Sequence, residues 1–342
     1  MDPAVHVDAP GRPRRILVTG VGGAPGFDLA RHLMTLGCQV IAVDASPLAA
    51  GLHLPLTARL TPSADDPAYA TALLDLCREL RPDAIIPTVE AELLQLIRLR
   101  GALEDLGVRT WLPSRNVVDA CADKAQFAAV MCEHSLATPR SFLPHQIRDI
   151  PDGRPLVVKP RRGQGAKGVH FCSTRRQAQI LCELVDEPLV QEHVTGAEFT
   201  ADCLVDRAGR ASVILRHRLL VRNGLAMVAA TFHDEEATAL VEATLAAVGI
   251  TGLCCAQGFI RDDTTGGARV VMTEVNARVA GAFPLSVVAG ADLVGQTLNG
   301  LFDLPVDHSR LGYQPGVQLT KYVETLTTSE RAPGAGPSPL HP

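Results

Sequence analysis

Val157-Val158-Lys159-Pro160-Arg161-Arg162-Gly163-Gln164-Gly165-Ala166-Lys167-Gly168-Val169 is the stretch that decides how this chain folds. Leu156, Val157 and Val158 form an apolar run of the kind that makes a short buried strand. Lys159 follows where that strand emerges, so its ammonium can reach a bound anion. Gly163, Gly165 and Gly168 carry no side chains, so the loop backbone can close over phosphates and offer them N–H groups. The Walker A pattern G-x-x-x-x-G-K-[ST] is not met, because Val169 follows Gly168. Taken alone, the stretch fits a basic hairpin turn equally well. Residues further along decide between the two.

Glu274-x-Asn276-x-Arg278 is the second signal. Alternate residues of a strand share a face, so a carboxylate, a carboxamide and a guanidinium point the same way. Such oxygens suit Mg²⁺, which takes one or two carboxylates and leaves its other positions to water and nucleotide. Gln257, on the partner strand of an expected hairpin (255–260 with 269–275), could add a third oxygen. Arg278 would then neutralise charge on a transferring phosphoryl group. Gln191-Glu192-His193-Val194 follows an apolar run and precedes a Gly turn. This hinge can offer backbone groups at Glu192 and Val194 to an adenine edge, with Glu198 near ribose hydroxyls. His193 reads as structural.

Upstream, strands at 15–19, 39–44, 83–87 and 108–112 alternate with helices at 27–36, 68–80 and 91–106, which predicts βαβ units and a parallel sheet. A short helix (114–121) leads into a second helix opened by Asp123-Lys124. Strands over 196–205 and 212–221 and helices over 235–248 and 285–301 follow. The expected division is a tail (1–13), a Rossmann-like domain (14–114), a subdomain with the Gly-rich loop (115–190), a C-terminal catalytic subdomain (191–325) and a disordered Pro/Ser/Gly tail (326–342).

Thr19 to Gly26 spells T-G-x-x-G-x-x-G with Asp44 closing the second strand, a dinucleotide-binding signature. The alternative it raises is an NAD(P)-dependent, short-chain-dehydrogenase-like oxidoreductase. Those enzymes use Tyr-x-x-x-Lys. Four residues after Tyr69, Tyr313 and Tyr322 stand Leu73, Val317 and Leu326. The turn therefore reads as a structural element of the first domain.

Composition narrows the classes. The net charge of −5 and an aromatic content of only 4% speak against a nucleic-acid surface. No apolar run reaches the ~18 residues that span a bilayer, and the first residues do not resemble a signal peptide. Nine cysteines without a C-x-x-C pair point to reduced thiols and a cytoplasmic setting. Lysine occurs only at 124, 159, 167 and 321, although arginine is plentiful. Two of these positions flank the proposed phosphate region, where a compact ammonium suits the task.

In this order, the Lys, the strand-Lys-Gly loop, the Glu hinge, the Gln and the Glu-x-Asn-x-Arg triplet resemble the ATP-grasp superfamily. The likeness is nearest to its carbamoyl-phosphate-synthase-like, single-module branch and runs from about Arg15 to Leu301. It implies a Rossmann-like N-terminal domain followed by a two-subdomain ATP-grasp fold, α/β and α+β. It also implies that Lys124 and Lys159 contact the ATP phosphates under a flap of Gly163, Gly165 and Gly168. Glu192 and Val194 would hold adenine and Glu198 the ribose. Gln257, Glu274 and Asn276 would bind Mg²⁺ (or Mn²⁺), and Arg278 would stabilise formation of an acyl phosphate. Ala277 stands where the family often has proline, and Leu225-Ala226-Met227 where relatives often carry charge, which leaves the acceptor open. The implied activity is ADP-forming ligation of a small carboxylate to an amine. Arg216, Arg218 and Arg222 are the candidates for gripping the acid, since guanidinium forks suit carboxylates; a solvated basic strand face is the other reading. The expected partners are small molecules, with no nucleic acid or membrane, and the expected assembly is a homodimer.

Overall fold

The computed structural model describes residues 11–163, 165, 167–262 and 267–325. The expected C-terminal tail, most of the N-terminal one and Gln164 and Ala166 of the Gly-rich loop lie outside the described residues.

The first sheet holds β1 (Arg15–Thr19), β2 (Gln39–Asp44), β3 (Thr57–Leu60) and β4 (Ala84–Ile86) in the order β3-β2-β1-β4, all parallel. Its central strands are unbroken apolar runs because helices cover both faces; Ile16, Leu17 and Val18 are wholly buried. Those helices are α1 (Ala24–Thr35), α2 (Tyr69–Leu80) and α3 (Glu90–Asp105). The strand expected at 108–112 shrinks to one bridge between Arg109 and Ala84. Trp111 leaves the sheet edge to pack against Gly300, where a Cβ would lie 2.0 Å from its ring. The short β3, with the sequence Thr-Ala-Arg-Leu, has no apolar run to announce it.

Next come α4 (Arg115–Ala122) and α5 (Lys124–Glu133). Asp123 separates them, and its carboxylate accepts the N–H groups of Ala125 and Gln126, capping α5. A small antiparallel sheet follows: β5 (Ser141–Phe142), β6 (Leu156–Pro160), β7 (His170–Cys172) and β8 (Pro188–Glu192), in the order β5-β8-β6-β7, with α6 (Arg175–Cys182) against it. The large antiparallel sheet runs β13-β12-β9-β10-β11-β14. Its strands are β9 (Gly196–Val205), β10 (Ala211–Arg222), β11 (Leu225–Thr231), β12 (Gly252–Arg261), β13 (Val270–Asn276) and β14 (Gln318–Thr320). Helices α7 (Glu235–Val248), α8 (Pro284–Val288) and α9 (Leu293–Leu301) complete the chain. The single helix expected over 285–301 is broken at Gly290, whose φ of +113° no right-handed helix contains.

One apolar core runs from Leu17, Ile41 and Leu73 through Val118 and Phe127 into Phe199, Leu215 and Val275. Helices α4 and α5 therefore rest on the large sheet, although in sequence they lead into the small one. A second core joins Leu29 and Leu33 of α1 to Phe283, Val294 and Leu298. These shared cores fix the turn at Gly20–Gly26 against the chain at 280–282. Among the described residues no helix is long and apolar enough to cross a membrane.

Candidate active site

A cleft of about 1000 Å³ lies where the three sheets meet. That is the top of the roughly 300–1,000 Å³ range of small-molecule pockets, so more than one substrate fits.

Lys159 reaches the cleft from the end of β6. Its Nζ donates to Gln191 Oε1 at 2.8 Å, and the Gln191 amide donates to Ser141 Oγ at 2.9 Å. Burial pulls the Lys159 pKa down to about 8; Glu274 works to raise it and Lys124 to lower it further. Lys124 opens α5, and its Nζ donates to the Gly163 carbonyl at 2.9 Å, tethering the start of the Gly-rich loop. Below it, buried Asp123 binds Arg161 through the Nε at 3.1 Å. Burial acts to raise the Asp123 pKa, but Arg161 and the two capping N–H groups hold it below the usual carboxylate range.

Gln257 stands opposite Glu274 in the β12–β13 register, beside a bulge. Asn276 Nδ2 donates to Glu274 Oε1 at 3.1 Å, and Arg218 Nη1 donates to Gln257 Oε1 at 3.2 Å. Arg278 lies past the end of β13 and still lines the cleft, with Nη1 donating to the Val279 carbonyl at 3.1 Å. This set offers one carboxylate and two carboxamide oxygens. Among the described residues no group of three or more His, Cys, Asp or Glu side chains is placed to hold a metal ion. The donors fit a hard, oxygen-seeking cation that shares its shell with phosphate, and not zinc.

Val157, Val169, Phe171, Val194 and Phe259 form an apolar wall beside the hinge. Glu192 Oε1 pairs with Arg261 at 2.7 Å, which ties the end of β8 to β12. Val194 follows the strand, and its N–H has no partner among the described residues. Glu198 Oε1 lies 3.2 Å from Arg218 Nε. Burial raises the Glu198 pKa, Arg218 opposes the rise, and Glu274 adds to it.

Three of the expected positions fall differently. Arg216 was expected to grip an acid. It lines the cleft but is almost wholly buried, with Nε and Nη2 donating to Asp202 at 2.8 and 3.1 Å. Ser286 Oγ donates to the same carboxylate at 2.6 Å, so the two-pronged face of the guanidinium is already spent. Arg222 is exposed at the far end of β10, and neither it nor Gly168 lines the cleft. Arg218 does line it, with Nη2 donating to the Gly224 carbonyl at 2.9 Å. Gly224 in turn touches the Gly-rich loop: with φ +74°, a Cβ on it would sit 2.4 Å from Gly165 Cα.

The sequence reading missed Gln191 as the partner of Lys159. It also missed Glu90, since the helix was expected to start at Ala91. Burial raises the Glu90 pKa, with Arg278 and Lys124 opposing and Glu274 reinforcing the rise, so Glu90 sits among the site's charges. An acid in the first turn of a helix after a strand was the available signal. The Gly20–Gly26 turn, read as structural, also walls the cleft. Asp44, the acid of the dinucleotide signature, closes on its own turn: Gly22 N–H donates to Oδ2 at 2.7 Å and Ser46 N–H to Oδ1 at 2.8 Å.

Comparison with known proteins agrees with this fold. Residues 121–282 match the ATP-grasp domain family and residues 16–111 the PylC-like N-terminal domain family. The chain is an ATP-grasp domain protein with a PylC-like N-terminal domain. The carbamoyl phosphate synthase large chain of Haemophilus ducreyi is 25% identical over 324 residues, which cover 81% of this chain and 28% of that protein. The chain thus spans about a third of the length of the curated relatives it matches first. Among solved structures, the L-amino acid ligase of Bacillus licheniformis matches with a TM-score of 0.67 and 20% identity over 89% of this chain and 78% of that one. The N5-carboxyaminoimidazole synthetase of Staphylococcus aureus, complexed with ADP, matches with a TM-score of 0.69 and 16% identity over 86% and 78%. These two likenesses speak for the fold. The ATP-grasp match accounts for the antiparallel sheets, and the PylC-like match for the parallel one and its glycine turn.

Proposed function

We propose that this protein is an ADP-forming carboxylate–amine ligase that uses Mg·ATP. The observation that carries the reading is the convergence of Lys124, Lys159, Gln257, Glu274, Asn276 and Arg278 in one cleft from α5, β6, β12, β13 and the segment after β13. The family's name for residues 121–282 and the ADP in the S. aureus neighbour support a nucleotide there.

Lys159 and Lys124 face the phosphates, with the loop from Gly163 over them and Gly165 resting on the Gly224 turn. The apolar wall takes the adenine, the hinge at Glu192 and Val194 its edge, and Glu198 the ribose. Gln257, Glu274 and Asn276 would hold Mg²⁺ (or Mn²⁺), which would supply positive charge to offset that of the phosphates. A substrate carboxylate oxygen attacks the γ-phosphorus, and the bond to the ADP oxygen breaks, leaving an acyl phosphate. Arg278 and Lys159 stabilise the charge on the transferring group. The amine nitrogen then attacks the acyl carbon, the C–O bond to phosphate breaks, and the amine proton passes to solvent or a nearby carboxylate. Positioning and fixed charge do most of this work. Arg218 remains the candidate for the acid, with Arg216 positioning β10 from its pair with Asp202.

The test is ADP and phosphate release from Mg·ATP with pools of carboxylic acids and amines, against a Glu274→Ala control. Release that needs one acid–amine pair and vanishes in the variant is the expected result. Equal release by the variant overturns the reading.

A further inference from the structure

The two halves of the cleft have opposite chemistry. Its described cations, Lys124, Lys159, Arg162, Lys167, Arg216, Arg218 and Arg278, all come from residues 124–278. The other half is walled by the N-terminal lobe and the turn at 280–282, and the only charged group among its described lining residues is Asp44. Ala24 and Pro25 lie beside Gly281, which also lies against Leu225, and Leu48 and Ala49 line the same half. The walls are close: a Cβ on Gly281 would lie 2.6 Å from Leu225 Cδ1 and 3.6 Å from Ala24 Cβ, and one on Gly22 would lie 2.9 Å from Ala49 Cβ.

We infer that the substrate lodged beside the nucleotide is a small aliphatic amino acid that carries no phosphate. This rests on the ligase reading above and narrows it. A phosphate dianion needs cations or free N–H groups. Three of the turn's own N–H groups are committed: Val21 donates to the Val43 carbonyl at 3.4 Å, Gly22 to Asp44 and Gly23 to the Gly20 carbonyl at 3.1 Å, and Pro25 has none. Asp44 adds a like charge where a phosphate would arrive. Small apolar walls favour a short aliphatic side chain and exclude water from it. The ammonium of an amino acid has Asp44 within the same wall.

The experiment uses the full chain with Mg·ATP and compares L-alanine, L-valine and L-leucine, singly and in pairs, with O-phospho-L-serine and L-arginine. The readout is ADP release. At least one aliphatic amino acid should stimulate release about tenfold more than O-phosphoserine or arginine. Leu48 is 73% exposed, so Leu48→Lys spares the fold. It should raise the KM of the aliphatic substrate about fivefold to tenfold and leave the KM of ATP within twofold. Stimulation by O-phosphoserine or arginine equal to the best aliphatic amino acid overturns the inference, as does a lack of stimulation by every aliphatic one. A melting temperature unmoved by Mg·ATP alone, read before any amino acid is added, would sink the ligase reading instead.

Discussion

The nucleotide end of the cleft and its N-terminal end are built on opposite principles. At the first, four charges are held by residues of other elements: Lys159 by Gln191, Lys124 by the Gly163 carbonyl, Arg218 by Glu198 and Gln257, Glu192 by Arg261. At the second, small apolar side chains close a gap and the one acid is tucked onto its own turn. The difference shows where this fold keeps chemistry constant and where it leaves room for choice. Phosphate and metal demand fixed charges at fixed places. A co-substrate pocket needs only shape, which alanines and glycines supply.

The contrast breaks most readily at Arg278. Arg278→Ala should lower kcat by roughly 10²–10³ while the KM of ATP stays within a few-fold, the signature of a contact made in the transition state. Steady-state kinetics on the purified variant checks this, and unchanged turnover would remove Arg278 from its assigned role.

The buried pair is a sharper test of which arginines are free. Asp202→Ala leaves Arg216 charged and buried, so it should cost about 3–5 kcal/mol of stability, read by denaturant unfolding. Arg222→Ala, at an exposed position, should cost under about 0.5 kcal/mol. Equal effects would contradict the division between a structural and a solvated arginine.

The pH profile probes the same end more gently. Lys159 has its pKa lowered to about 8, so it is charged below that pH and loses its charge as pH rises through it. Thus kcat/KM for ATP, which reports the free enzyme, should fall above about pH 8. Lys159→Arg should flatten that limb. The linked effect on stability has the opposite sense: a lysine with a depressed folded pKa binds fewer protons than the unfolded chain, so its contribution to stability rises from about pH 8 towards its ordinary value near 10.4.

A local effect is expected at the seam between hairpin and loop. Gly224→Ala places a Cβ against Gly165 at a left-handed φ. It should cost about 1–2 kcal/mol of stability and raise the KM of ATP a few-fold, with kcat nearly unchanged.

The same contrast explains what the sequence revealed. Charged or polar residues that interrupt apolar strands, such as Lys159, Glu274 and Asn276, announce themselves, because burying a charge or a polar group without purpose is costly. The parallel sheet was legible from strands alternating with helices, except for β3, which has no apolar run. Gly290 looked like part of a helix because a glycine's backbone angle is not written in its neighbours. Arg216 looked free because its partner Asp202 lies on β9, and only the β9–β10 pairing joins them. The wall of Ala24, Ala49 and Gly281 carried no signal at all, since small residues are common wherever chains pack.

Isothermal titration of the intact protein with Mg·ATP, beside Lys159→Ala and Glu274→Ala, tests the central claim most directly. The account predicts one nucleotide site per chain, weakened by removal of Mg²⁺ and by either substitution, with no competing affinity for NADPH. Binding of NADPH with none of ATP, or ATP binding indifferent to metal and to both residues, would contradict it.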